Sequence, residues 1–137
     1  MAEIGRTEQP VVVRTDFSDE TGWLTLRDEL LAESPEGWKA NVNIVDDPGF
    51  DGCAADRVLG AVTEDYRFSF LGLVDAVAVG AGVHAVLVVD LLHEPGRSFC
   101  AAPGEVQSVE NNLSLANMDF FEFAESVGPD DVFRGFA

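Results

Sequence analysis

Apolar positions along this chain recur with two periods, and the points where the period changes divide it into elements. Val11 to Phe17, VVVRTDF, is rich in β-branched residues and runs into a polar turn, which predicts a first strand. After it, Trp23, Leu26 and Leu30 fall at helical spacing, with Leu24 and Leu31 widening the stripe. Ser18 suits the N-cap of this helix, and Asp19 and Glu20 place acids where the helix dipole favours them. Ser34 precedes Pro35, and a residue before proline is driven away from helical dihedrals, so the helix is predicted over 19–33. In KANVNIVDD, Ala40, Val42 and Ile44 alternate with Asn41 and Asn43, the period of a second strand. Strand, helix and strand with a connection of this length can close as a right-handed parallel crossover.

Beyond a turn at DPGFDG and a short helix near 54–62 the pattern changes. YRFSFLGLVDAVAV, HAVLVVDLL and RSFCAA are apolar segments separated only by GAG and HEPG. Pro95-Gly96 suits the centre of a type II turn, and such short connections favour antiparallel neighbours. In ANMDFFEFAESVG, Asn117 is placed as an N-cap and Asp119 falls in the first turn. Phe120, Phe123 or Ala124, and Val127 recur at helical spacing while Glu122 and Glu125 point away, so a helix is predicted over 118–127, stopped by Gly128-Pro129. The expected object is a single globular domain over 1–137, with 1–9 flexible. Its fold class is α/β (α+β), a two-layer sandwich with a mixed sheet of about five strands: a β-α-β start, a β-meander and a C-terminal helix. Trp23, Leu26, Leu30, Val88 and Phe120 are assigned to the core.

Three stretches, VVVRTDFSD, VLVVDLLHEPGRSF and SVENNLSLANMDFFEFA, together resemble a family of small acidic bacterial proteins classed as a domain of unknown function. The likeness covers nearly the whole chain, and the last stretch is its most distinctive part. It implies a single-domain protein with the same elements and brings no activity, ligand or catalytic residue with it.

Charge alters the picture more than composition does. Twenty-five carboxylates face seven arginines and one lysine, a formal net charge of −17. A field of that sign argues against direct contact with nucleic-acid phosphates or an anionic membrane. Between Arg97 and Arg134 lie seven carboxylates and no cation, so the last helix and its approaches should present an acidic face. Cys53 and Cys100 belong to no Cys-x-x-Cys or Cys/His cluster and read as buried thiols in a reducing compartment. The opening MAEIGRTEQP lacks the basic and apolar regions of a secretory signal. Asp75, His84, Asp90 and the Gly80/Gly82 break cut the most apolar run into pieces too short to span a bilayer. A cytoplasmic protein is expected.

No catalytic, metal-binding or nucleic-acid motif stands above background. Asp16 and Asp19 follow the first strand and Asp46 and Asp47 the second, and in a parallel crossover those ends lie side by side, where open α/β sheets hold ligands. Four carboxylates there suit magnesium, with Arg14 as a weak cationic partner, since Lys39 falls at the opposite strand end. The competing reading gives each a local duty in closing a strand, stabilising a helix start or opening a turn. His93, Ser98 and Cys100 are close in sequence but lack a third group, and His84 reads as structural. Glu110, Asn111 and Asn112 precede the last helix in an expected loop, as a turn or as a recognition site.

The expected function is a non-catalytic binding or regulatory protein without a cofactor. Its acidic surface, carried by Glu110, Asn111, Asn112, Glu122 and Glu125, would dock a basic protein partner in the manner of an immunity protein or inhibitor. The alternative is a magnesium-dependent hydrolase or phosphotransferase using Asp16, Asp19, Asp46 and Asp47.

Overall fold

Val11–Arg14 is buried at every position, which places this segment, β1, inside a sheet and not at its rim. The computed structural model describes residues 2–79 and 84–136. The other strands are β2 (Asn43–Val45), β3 (Phe70–Val74), β4 (Val86–Asp90), β5 (Ser98–Ala101) and β6 (Val132–Phe133), in the spatial order β2-β1-β3-β4-β5-β6. β1 is parallel to both β2 and β3. β3, β4 and β5 form the antiparallel meander, and β6 returns parallel to β5. The β-α-β start, the meander and the mixed-sheet α+β sandwich thus stand as read from sequence, with six strands among the described residues in place of about five.

Alternation along the strands sends side chains to two cores. Val12, Phe70, Val74, Val86, Val88, Phe99, Ala101 and Phe133 pack under the main helical layer. That layer consists of α1 (Glu20–Leu31), α3 (Ala76–Val79), α4 (Val106–Ser114) and α5 (Phe120–Ala124). Val11, Val13, Leu71, Leu73 and Val89 face the other way and are covered by α2 (Ala55–Leu59), by Phe50 of a short 3-10 turn and by Ile4. Ile4 exchanges hydrogen bonds with Ala61 O and Thr63 N, which ties down part of the segment expected to be flexible. Trp23, Leu26, Leu30, Val88 and Phe120 are all buried. Phe99, Phe120, Phe123 and Phe133 form an aromatic cluster with ring centroids 5.0–6.4 Å apart. Burial of each such ring is worth about 1.5–3 kcal/mol.

Several boundaries differ from the sequence reading, each for a local reason. α1 is capped by Asp19, whose carboxylate accepts the Gly22 N–H at 2.8 Å, and not by Ser18, whose hydroxyl is drawn to Asp16 instead. β3 stops at Val74 because the Asp75 carboxylate accepts the Ala78 N–H and starts α3, so Ala76–Val79 is helical and not extended. The Gly80/Gly82 break lies outside the described residues. At HEPG the type II turn forms as expected, with Gly96 at φ +95° and the Arg97 N–H donating to Glu94 O. α5 is capped by Asp119 in a capping box with Glu122, not by Asn117. The backbone at Asn117 is still closing α4, its N–H donating to Asn112 O while Ala116 turns left-handed at φ 55°. The largest correction concerns Glu110, Asn111 and Asn112, which lie in helix α4 and not in a loop. Val106, Val109 and Leu113 supply the apolar stripe that makes this segment helical.

Candidate functional site

Glu110 is the turning point of α4. Although charged, it is only 5 % exposed, and its Oε1 accepts the Asn41 N–H at 2.8 Å, tying the helix to the segment that leads into β2. It is therefore a structural group and not part of an acidic face. One position on, the helix turns outward. Gln107, Ser108, Asn111 and Asn112 form one wall of a cleft of about 370 Å³, continued by Glu105 and faced by Glu36 and Trp38 from the loop between α1 and β2.

That loop is held tightly. Ser34 accepts the Trp38 N–H on its hydroxyl at 3.1 Å, donates its own N–H to Trp38 O at 2.6 Å, and receives the Gly37 N–H. Gly37 takes φ +88°, a conformation glycine adopts without cost. The outcome is an indole 59 % exposed on a fixed turn, whereas Trp23, the other tryptophan, is fully buried. Asn112 spends its amide on Ser108 O within the helix. The side chains of Gln107 and Asn111 make no hydrogen bond among the described residues and remain available to a ligand. A cleft lined by an aromatic ring, two glutamates and free amides suits a cation: the ring quadrupole and the carboxylates both attract positive charge. Trp38 had no place in the sequence reading. The signal it gave was a tryptophan just after Pro-Glu-Gly, outside any helical or strand stripe.

Glu122 and Glu125 do not share this cleft. Glu122 folds back to accept the Asp119 N–H at 2.8 Å. Glu125 lies 3.7 Å from Arg97 and borders a separate cleft of about 380 Å³ with Asp90, His93, Asp119 and Phe121. The five residues expected on one face are thus divided among the interior, the Trp38 cleft and the surroundings of α5.

At the strand ends, β1 and β2 do lie side by side, and a cation organises the acids there. Arg14, 3 % exposed, donates to Asp16 O, to Asp46 Oδ1 at 3.2 Å and to Glu20 Oε2 at 2.7 Å, and stacks over Phe17 and Trp23. Burial opposes its charge, but the hydrogen bonds to Glu20 and Asp46 outweigh it and hold the guanidinium pKa above its ordinary value. Asp16 accepts the Ser18 hydroxyl, Asp19 caps α1, and Asp47 accepts the Gly49 N–H. Among the described residues no group of three or more His, Cys, Asp or Glu side chains is placed to hold a metal ion.

The remaining candidates are separate. His93 Nε2 stands 4.0 Å from Asp119 Oδ1, and His84 bridges Ala78 O and Glu29. Cys53 and Cys100 are half-buried, less enclosed than expected. Burial first, and then Asp131, Asp75 and Asp130, push the Cys100 thiol pKa up, the opposite of what a nucleophile needs.

Among the described residues no helix is long and apolar enough to cross a membrane. No curated protein and no solved structure matches the chain. A family model does match, over residues 9–136, and the chain belongs to that family, a domain of unknown function (DUF6924).

Proposed function

We propose that this protein is a non-catalytic, cytoplasmic binding or regulatory protein whose Trp38 cleft takes an arginine or lysine side chain from a basic protein partner, as an immunity protein or inhibitor would. The observation that carries the reading is the exposed Trp38 indole, which lines one cleft with Glu36, Glu105 and the free amides of Gln107 and Asn111. Tryptophan is a typical energetic anchor of protein interfaces. A net charge of −17 supports the same partner, since it speeds encounter with a positive surface and makes the association salt-dependent.

Calorimetric titration with a hexa-arginine peptide at low salt tests the proposal. Saturable binding that weakens as salt is raised is expected, and Trp38→Ala should weaken it about tenfold. Glu36→Gln with Glu105→Gln should do so to a similar extent, while Glu122→Gln should have little effect. Equal affinity of wild type and Trp38→Ala would reduce the interaction to diffuse charge and overturn the assignment of the cleft.

A further inference from the structure

A second cleft, larger and of different chemistry, lies beside the β4–β5 hairpin. It encloses about 660 Å³ and is walled by Leu59, Val62, Phe68, Leu91, Leu92 and Pro95. This is within the range of small-molecule sites, which are mostly apolar with a few placed polar groups. Tyr66 lies in its lining, but the phenol is already satisfied, accepting the Val11 N–H at 3.0 Å and donating to Phe70 O at 2.7 Å. It therefore offers a ligand an apolar ring and no free polar group.

Two features point to an occupant. Leu92 is 61 % exposed, on a loop that is not free to turn it inward. The buried carboxylate of Asp90 accepts the N–H groups of Leu92 at 3.0 Å and Glu94 at 2.8 Å, Asp90 O accepts the Gly96 N–H, and the Leu91 N–H donates to Ser69 O. A leucine held out in this way keeps the cleft wall apolar and preformed. The second feature is Arg67, which lines both this cleft and the adjoining hollow bordered by Leu92 and Leu113. In a protein with twenty-five carboxylates, Arg67 enters none of the ion pairs found among the described residues.

We propose that this cleft binds a small amphiphilic carboxylate as a free molecule. Its apolar body lies against Leu92, Phe68 and Pro95, and its single anionic head is met by the Arg67 guanidinium, which pairs with carboxylates in a planar fork. The site shares no lining residue with the Trp38 cleft, so the two proposals stand or fall separately.

The test is calorimetric titration with decanoate, decanol and decylammonium, each below its aggregation concentration. The overall charge of −17 attracts the ammonium and repels the carboxylate, so a preference for decanoate reports a local cation against the general field. Decanoate should bind about tenfold more tightly than decanol, and Arg67→Gln, at an exposed position, should bring the two to equal affinity. Leu92→Ser should weaken decanoate and decanol by a similar factor, and Trp38→Ala should leave both unchanged. Circular dichroism of each variant verifies the fold. The proposal is overturned if decanoate binds no better than decanol, if decylammonium binds most tightly, if Arg67→Gln changes nothing, or if no probe saturates. Co-sedimentation with anionic vesicles, undiminished by decanoate, would also overturn it by pointing to a membrane surface.

Discussion

Tyr66 is the only tyrosine in the chain, and it joins the start of β1 to the start of β3 through its two hydrogen bonds. Burial pushes its pKa up to about 12 from an ordinary 10.0, partly opposed by the hydrogen bond from Val11. The fold thus favours the neutral phenol. Its contribution to stability is complete below pH 10 and is lost as pH rises towards about 12. Absorbance at 295 nm should give a single phenolate transition near that pH, and Tyr66→Phe should remove this part of the alkaline loss of stability. Glu110 makes a comparable link between α4 and the approach to β2. Glu110→Ala should cost about 1–3 kcal/mol in chemical denaturation, because the Asn41 N–H loses its partner. Glu110→Gln keeps an acceptor there and should cost much less. A neutral residue that preserves the hydrogen bond would not spare a protein in which Glu110 acted by its charge.

Among the elements, α1 and α3 meet at a glycine. A Cβ on Gly22 would stand 2.3 Å from Val79 O, a backbone atom that cannot move without displacing α3. Gly22→Ala therefore has a negative outcome despite alanine's better helix propensity, with a loss of more than about 2 kcal/mol expected in thermal unfolding. Gain of stability, as intrinsic propensity alone would give, would show that α3 yields. The existence of α1 was legible because Trp23, Leu26 and Leu30 repeat at one period and face one core. α3 was not, since Ala76–Val79 continues an apolar run whose extended or helical state no periodicity can decide over four residues. α4 was hidden for another reason. Its asparagines resemble turn residues, while its stripe of Val106, Val109 and Leu113 is short and separated by polar positions. β6 is two residues long among turn residues and exists only because β5 offers it an edge.

For the whole molecule the governing term is repulsion among like charges. Among the described residues three arginines, Arg14, Arg97 and Arg134, are engaged in ion pairs with neighbouring carboxylates, which leaves most of the twenty-five acids without a cationic partner of that kind. Screening reaches a Debye length of about 10 Å at 0.1 M salt, so raising sodium chloride from 10 mM to 200 mM should raise the melting temperature. A fall in melting temperature over that range would mean that the arginine pairs outweigh the repulsion. The two proposed sites should respond in opposite directions to the same change, with the Trp38 cleft losing affinity for arginine peptides and the Arg67 cleft gaining affinity for decanoate.

The sequence by itself determined the charge, the β-α-β start, the meander and most of the core, because each follows from local periodicity or from a count. VVV at positions 11–13 specified a buried strand, and Pro95-Gly96 specified its turn without help from distant residues. Only the tertiary structure decided which polar residues face outward. Glu110 and Asn111 are adjacent on one helix, yet one is spent on Asn41 and the other is left to a cleft. Trp38 became a candidate only when α4 was placed across from its loop, and Arg67 only when the folded chain set it in the lining of an apolar cleft, outside the ion pairs found among the described residues. Periodicity records which face of an element is apolar; the use of a polar residue depends on what the rest of the chain brings within about 3 Å of it, and that separation is set by packing between distant segments.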